Sequence, residues 1–492
     1  MRRLEGAPAA MSDTRSNRET RSGPSRRRFV GALAAGATAV LAACGRSVEA
    51  LPELSEYQEG LLQSDAIARA ASTRPSGVVL PSKPITVAFV QSAWAPRGND
   101  YRSLIARAGT GDEEVVRLNS DPLGYPEAIT LGQMIASFPG SKPVDLLIFP
   151  VSQLRDLEEN GTLIPMDKVS ALGHLLDADA YWGDSLAAGQ IRGVQMAIPL
   201  MLGPWVLMFN RKRLGQYGIK PPGPDPWDIE QFLENVARMT FSSAGADQPD
   251  AFGFVQMVTA EGGQWPVPPS WVWLTSAGAA LPGLEGGEED LVSDAALRAL
   301  DLMHDLAYEQ RSSYNISGGN SPHSWRQMRG VLSDPNNGMM SFPANSGWFL
   351  NSWRKEDGNG GGFDLAALPG GRGHRTPTEI HMMIGLSASS REPEAAILGL
   401  MQIYEAIGDA MFPTAMKADV ERMRIASRSI RDEDVDALAL ALARSRAIQL
   451  TGPDRGLMIN TLDRPVFLQK ADPEDAAEAA RIAFEEMYFY AG

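Results

Sequence analysis

The sequence predicts an α/β protein. Short β-rich apolar runs alternate with segments of helical spacing, later helices carry readable caps, and no internal repeat is evident, which argues against solenoids and propellers. Ile85–Val90 (ITVAFV), Glu114–Leu118 (EVVRL) and Asp145–Phe149 (DLLIF) read as strands, and Tyr101–Ala108 and Glu127–Phe138 between them as helices. That alternation is the pattern of βαβ units and a parallel sheet.

The most apolar later stretch, Met196 to Phe209, is 14 residues long and interrupted by Pro199, Gly203 and Pro204, so it reads as buried core rather than a membrane span. Asp225-Pro226-Trp227-Asp228 opens a helix: an Asp caps, Pro fills the first turn and the second Asp faces the helix dipole. Ile229, Phe232, Leu233 and Val236 then recur on one face. Asp294–Tyr308, Pro393–Ile407 and Asp434–Ile448 are further helices, and Asp472-Pro473-Glu474-Asp475 opens the last one.

The chain has 492 residues, 44% of them hydrophobic, with 45 Lys plus Arg against 60 Asp plus Glu, five His and one Cys. It can build substantial cores, and it is neither a disulfide scaffold nor a Cys-rich zinc domain. A net charge of −15 argues against sequence-independent nucleic-acid binding, which rests on clustered Lys and Arg.

That charge is unevenly placed. Residues 1–43 hold eight Arg against three acidic residues, leaving the remainder near −20. The basic stretch runs into Phe29–Ala43 (FVGALAAGATAVLAA), too short to span a bilayer and shaped like a secretory signal. Ser25-Arg26-Arg27-Arg28-Phe29-Val30 resembles a twin-arginine export signal, and Leu41-Ala42-Ala43-Cys44-Gly45 resembles a lipobox, in which the Cys receives a diacylglyceryl group after cleavage. Cys44 is therefore the expected lipid attachment, residues 1–43 the signal peptide, and 44–84, ending rich in Pro and Ser, a spacer with room for one short helix at 55–72. The 449 residues from Cys44 onward suggest two or three domains.

Catalytic and cofactor motifs are missing: no G-x-S-x-G, no phosphate loop, no H-E-x-x-H, no strand-linked G-x-G-x-x-G. His174, His304, His323, His374 and His381 are scattered, and no cofactor or metal site is expected. The acidic loop at Glu285 and Glu288–Asp290 reads as solvated rather than as a calcium site. Paired carboxylates suited to glycoside hydrolysis could arise anywhere among 60 acidic residues, and nothing singles out a pair.

The positive signal is tryptophan. All ten lie between residues 94 and 353, several in Gly/Pro-rich loops: Trp94 after the first strand, Trp265 and Trp271 around Pro266-Val267-Pro268-Pro269, Trp348 after Asn345-Ser346-Gly347. Flat amphipathic rings on loops suit a sugar, which offers an apolar C–H face and a rim of hydroxyls. Trp227, on its helical stripe, reads as core.

The order of segments resembles the extracellular solute-binding proteins of ABC importers, in particular the sugar-binding family related to maltose-binding protein. The matching pieces are Ile85–Val90 continuing into Gln91-Ser92-Ala93-Trp94; Val144–Phe149, where the family has Pro-Asp-Leu and Val144 departs from it; Leu163–Asp167; and Gly193–Pro199 running into Trp205–Asn210. Gly338–Phe342, Asp364–Gly370 and Ile384–Ser389 complete the set across residues 85–410. The resemblance implies a periplasmic-binding-protein-like type II fold, two α/β lobes with a ligand cleft and several hinge crossings. Carried over, one lobe is 85–200 plus 380–412 and the other 201–379 plus 413–492, with crossings at Pro199–Pro204 and Thr376–Ile380. It implies ligand-facing positions at Ser92 and Trp94, at Val151, Ser152 and Gln153, at Gly203 and Trp205, and at Asn345 and Trp348, with Trp265 and Trp271 as additions.

The expectation is a monomeric, lipid-anchored receptor on the extracytoplasmic face that binds a sugar or similar small polar solute and passes it to an ABC permease. Its alternatives are a secreted carbohydrate-active enzyme using two carboxylates, a receptor for a non-sugar solute such as a polyamine, and a structural surface lipoprotein.

Overall fold

The run from Ile198 to Asn210 forms one strand of 13 residues, every one of them buried, and the molecule is built around it. The computed structural model describes residues 85–90, 114–118 and most of 144–491, leaving out chiefly 260–267, 281–287, 317–336, 344–362 and most of 411–431. The leader, Cys44, the spacer and the helices expected at 101–108 and 127–138 lie outside the described residues.

In chain order the principal elements are β1 (Thr86–Val90), β2 (Glu114–Leu118), β3 (Leu146–Phe149), α1 (Leu154–Glu159), β4 (Ile198–Asn210), α2 (Arg211–Gln216), α3 (Ile229–Met239) and β5 (Phe254–Thr259). They continue with α4 (Pro269–Ser276), α5 (Asp294–Tyr308), β6 (Ser313–Ile316), β7 (Met339–Pro343), β8 (Phe363–Ala367) and β9 (Thr376–Leu386). The chain closes with α6 (Pro393–Ala410), α7 (Asp432–Ala443), β10 (Ser445–Ile448), α8 (Gly452–Met458), α9 (Arg464–Leu468) and α10 (Pro473–Ala491). The ten strands make one sheet in the order β2-β1-β3-β9-β4-β7-β5-β6, with β8 on β4 and β10 on β9.

The sheet is mixed rather than parallel throughout. β1 runs parallel to β2 and β3, and β5 to β6 and β7, as the alternation predicts. At the centre β9 is antiparallel to both β3 and β4. The reason is a matter of chain path. β4 begins among the residues of one hydrophobic cluster (Ile198, Leu200, Met201, Leu202) and ends in a second (Trp205, Leu207, Phe209). β9 places Ile380, Met382, Met383, Ile384 and Leu386 in the first cluster, running antiparallel to β4 beside it.

Beyond Pro204 the side chains of β4 alternate between the clusters: Trp205, Leu207 and Phe209 join the second, Val206 and Met208 the first. This is the period of two of a strand buried on both faces. α4, α5 and α10 cover the former face; α7 covers the latter, with Val435, Leu438 and Leu442 near Leu365, whose backbone N–H donates to Asp434 Oδ1 at 3.0 Å. Along 198–204, β4 pairs only with β9 among the described residues, the kind of edge that tolerates Pro199 and Pro204 in a strand.

Two helix boundaries differ from expectation. The cap of α3 is Asp228, whose Oδ1 accepts from Gln231 N–H at 2.7 Å, so Asp225 and Pro226 precede the helix rather than open it. Asp434–Ile448 is not one helix: α7 stops at Ala443 and Ser445–Ile448 is β10, paired in parallel with Thr376–Glu379. Asp472 does cap α10, accepting from Glu474 N–H at 2.9 Å with Pro473 in the first turn. No described helix is long and apolar enough to cross a membrane.

Candidate functional site

β4 and β9 pair up to the point where β4 begins to alternate between the two clusters. Leu202 belongs to the first cluster and Trp205 to the second, with Gly203 and Pro204 between them. Gly203 pairs with Glu379 and Pro204 with Thr378, so the two segments expected to cross are hydrogen-bonded neighbours.

The ladder is irregular just beyond this point. Ile380 pairs with Leu202 but Met382 with Met201, so His381 is an extra residue on β9; Met383 then pairs with Pro199, so Leu200 is an extra residue on β4. The two bulges cancel, and the original register returns at Met383 opposite Pro199. A bulge re-aims the side chain it carries.

Here the imidazole of His381 turns toward Gly203, so closely that a Cβ built on that glycine would lie 2.1 Å from Nε2. Glu379 stands beside it, with 3.6 Å between Glu379 Oε2 and His381 Nδ1, and Trp205 Nε1–H donates to Glu379 Oε1 at 2.9 Å. Glu379, Trp205 and His381 are 4%, 6% and 7% exposed, and His381 Nε2 has no hydrogen-bond partner among the described residues.

Burial pushes the Glu379 carboxyl up to about 8, against the opposing pull of the Trp205 hydrogen bond and the positive charge of Arg455 on α8. Burial also drives His381 down to about 4, so its ring is neutral at neutral pH. The pair is therefore a protonatable acid beside a neutral imidazole. No group of three or more His, Cys, Asp or Glu among the described residues is arranged to hold a metal ion.

Of the residues expected to face a ligand, Gly203 and Trp205 sit at this seam. Ser152 and Gln153 lie in the turn Val151–Gln153 after β3, which packs beside β9 because Phe149 pairs with Met383. Ser152 is half-buried and Gln153 buried. Trp271 is elsewhere: it is fully buried in α4, a helix buried on all sides, within the second cluster. Ser92, Trp94, Trp265, Asn345 and Trp348 lie outside the described residues. Glu379 and His381 were not singled out from the sequence. They are the two ionisable residues of TPTEIHMMIGL, and the bulge at His381, not the alternation of the strand, brings them side by side.

Residues 108–398, more than half of the chain, match the model of the bacterial extracellular solute-binding protein family. The chain belongs to that family. No curated protein matches it in sequence.

Solved structures of similar fold include an ABC substrate-binding protein from Listeria monocytogenes in complex with cycloalternan, at 13% identity and a TM-score of 0.60, covering 82% of this chain and 98% of that one. A second is UgpB from Mycobacterium tuberculosis in complex with glycerophosphocholine, at 14% identity and 0.60, covering 83% and 99%. The maltose-maltodextrin binding protein of Alicyclobacillus acidocaldarius follows at 14% and 0.54, covering 82% and 100%. The fold is that of the type II periplasmic-binding-protein-like proteins, and the family is one of binding proteins rather than enzymes.

Proposed function

We propose that this solute-binding protein is a lipid-anchored receptor on the extracytoplasmic face that captures a sugar or related neutral polar solute and presents it to an ABC permease, with no chemical step of its own. The observation that carries this reading is the seam itself. β4 and β9 pair along 198–204 within one hydrophobic cluster, β4 then alternates between that cluster and a second, and a buried polar group of Gly203, Trp205, Glu379 and His381 lies where the alternation begins. An indole offers a face to C–H groups while the carboxyl and imidazole meet hydroxyls. The similar structures with cycloalternan, maltodextrin and glycerophosphocholine in their names support a hydroxyl-bearing solute.

The lobes of the proposal are 85–200 with 380–412 and 201–379 with 413–492, hinged at Pro199–Pro204 and Thr376–Ile380. Ser92, Trp94, Ser152, Gln153, Asn345, Trp348 and Trp265 are its remaining candidate contacts. Cys44, after the Arg26-Arg27-Arg28 signal, is the attachment point, and more than one acyl chain gives a stable anchor.

Titration of the purified chain with maltose, trehalose and a cyclic maltosyl-maltose by calorimetry tests the binding. A Kd in the micromolar range without turnover is expected, and release of cleaved sugar would make the protein an enzyme instead. Cys44→Ala is expected to move the protein from the membrane to the soluble fraction; unchanged membrane association would remove the anchor from the proposal.

A further inference from the structure

The bulge at His381 has no evident role in holding the sheet together, because its displacement is undone by the bulge at Leu200. What it achieves locally is to place an imidazole against the one residue of the seam that has no side chain, Gly203, beside the Glu379 carboxyl. The result is a buried Nε2 with no hydrogen-bond partner among the described residues. An unpaired buried polar atom costs stability. Such a cost, set next to a carboxyl whose other oxygen is already held by Trp205, marks a place where a bound molecule completes the pairing.

The charges around the pair select among ligands. Arg455 lies close enough on α8 for its charge to act on Glu379, which disfavours a cationic solute. Both members of the pair are buried, and neither offers an anion a fixed positive charge. A hydroxyl suits both partners, since it donates and accepts and so satisfies Nε2 in either tautomer.

The geometry points to Glu379 and His381 as a paired recognition element for adjacent hydroxyls of a neutral solute, His381 Nε2 meeting one hydroxyl and Glu379 Oε2, which lies beside His381 Nδ1, its neighbour. This rests on the receptor reading above, because both side chains are almost closed to water and access requires the molecule to part along the seam. Trp205, locked to Glu379 Oε1, fixes the carboxyl's orientation.

The test separates recognition from architecture. His381→Leu removes the unpaired nitrogen at similar volume, and Glu379→Met removes the carboxyl; Asp463→Asn, another buried carboxyl in the turn Ile459–Asp463, serves as the control. Each protein is melted without ligand and titrated by calorimetry with maltose, trehalose, a cyclic maltosyl-maltose and spermidine. His381→Leu is expected to melt at or above the wild-type midpoint yet bind the saccharide tenfold or more weakly, the signature of a residue kept for function at the expense of stability. Glu379→Met should also weaken binding at least tenfold, and Asp463→Asn leave it unchanged. If the wild type binds a saccharide and His381→Leu binds it equally well, or loses affinity only together with a lowered midpoint, the recognition role is overturned while the receptor reading stands. If the wild type binds spermidine alone, or none of the four, the receptor for a neutral hydroxylated solute falls and the recognition pair with it.

Discussion

Gly203→Ala is the smallest change that probes the seam. The added Cβ would meet three atoms of one ring: His381 Nε2 at 2.1 Å, Cδ2 at 2.8 Å and Cε1 at 3.2 Å. The first two lie inside ordinary contact, so the imidazole has to move, and Glu379 stands on its other side. Overpacking of this kind costs about 1–3 kcal/mol. The backbone itself does not oppose the change, because Gly203 lies outside the positive-φ region, and alanine there stiffens the unfolded chain by about 0.4–1 kcal/mol in favour of folding.

The net expectation is a loss of about 1–2 kcal/mol for Gly203→Ala in the native background. With His381→Ala in place the clash is gone and the same substitution should be neutral or stabilising by about 0.5 kcal/mol. A double-mutant cycle by urea unfolding, followed by tryptophan fluorescence, therefore should return a coupling of about 2 kcal/mol. Additivity within about 0.5 kcal/mol would refute the packing of His381 against Gly203.

Two further outcomes follow from buried carboxyls. Asp463 is pushed up to about 7 by burial, partly offset by hydrogen bonds from Ser270, whose backbone N–H donates to Oδ1 at 2.8 Å. The native state thus keeps a proton that the unfolded carboxyl releases near 3.8, so this group's contribution is full below that pH and declines as pH rises toward 7. Urea unfolding between about pH 4 and 8 should show a shallower decline for Asp463→Asn, the difference reaching a few kcal/mol; parallel curves would refute it. Asp145 accepts from Thr86 N–H at 2.8 Å and from Ser390 Oγ, tying β1 to the chain beyond β9. Asp145→Ala strands two buried donors and should cost about 2–4 kcal/mol by urea unfolding, whereas a loss under 1 kcal/mol would show that the carboxylate is not the tie.

How much of this was legible in the sequence depends on how local each signal is. EVVRL at 114–118 is a strand within the bounds read from composition, and Asp294–Tyr308 a helix within those read from its cap and stripe. Ser445–Ile448 misled because no Gly or Pro separates it from the helix of Val435, Leu438 and Leu442; what makes it a strand is the distant edge Thr376–Glu379. The antiparallel centre was hidden for the same reason, since strand direction is set by where the chain goes next. At the site, Gly203 and Trp205 were reached through resemblance. Glu379 was one of many acids, and neither its burial nor the bulge that brings His381 beside it leaves a trace in local spacing.

The two cancelling bulges also limit how the length of this region can drift. A strand that loses a single residue turns every later side chain to the opposite face. Deleting Leu200 alone would uncompensate His381 and shift the ladder that restarts at Met383 opposite Pro199, and deleting His381 alone would do the reverse. Removing both would keep the remaining pairs in step. Single-codon deletions should be rejected at either position and accepted together, so the seam is a place where two insertions 181 positions apart in the chain can be gained or lost only as a couple.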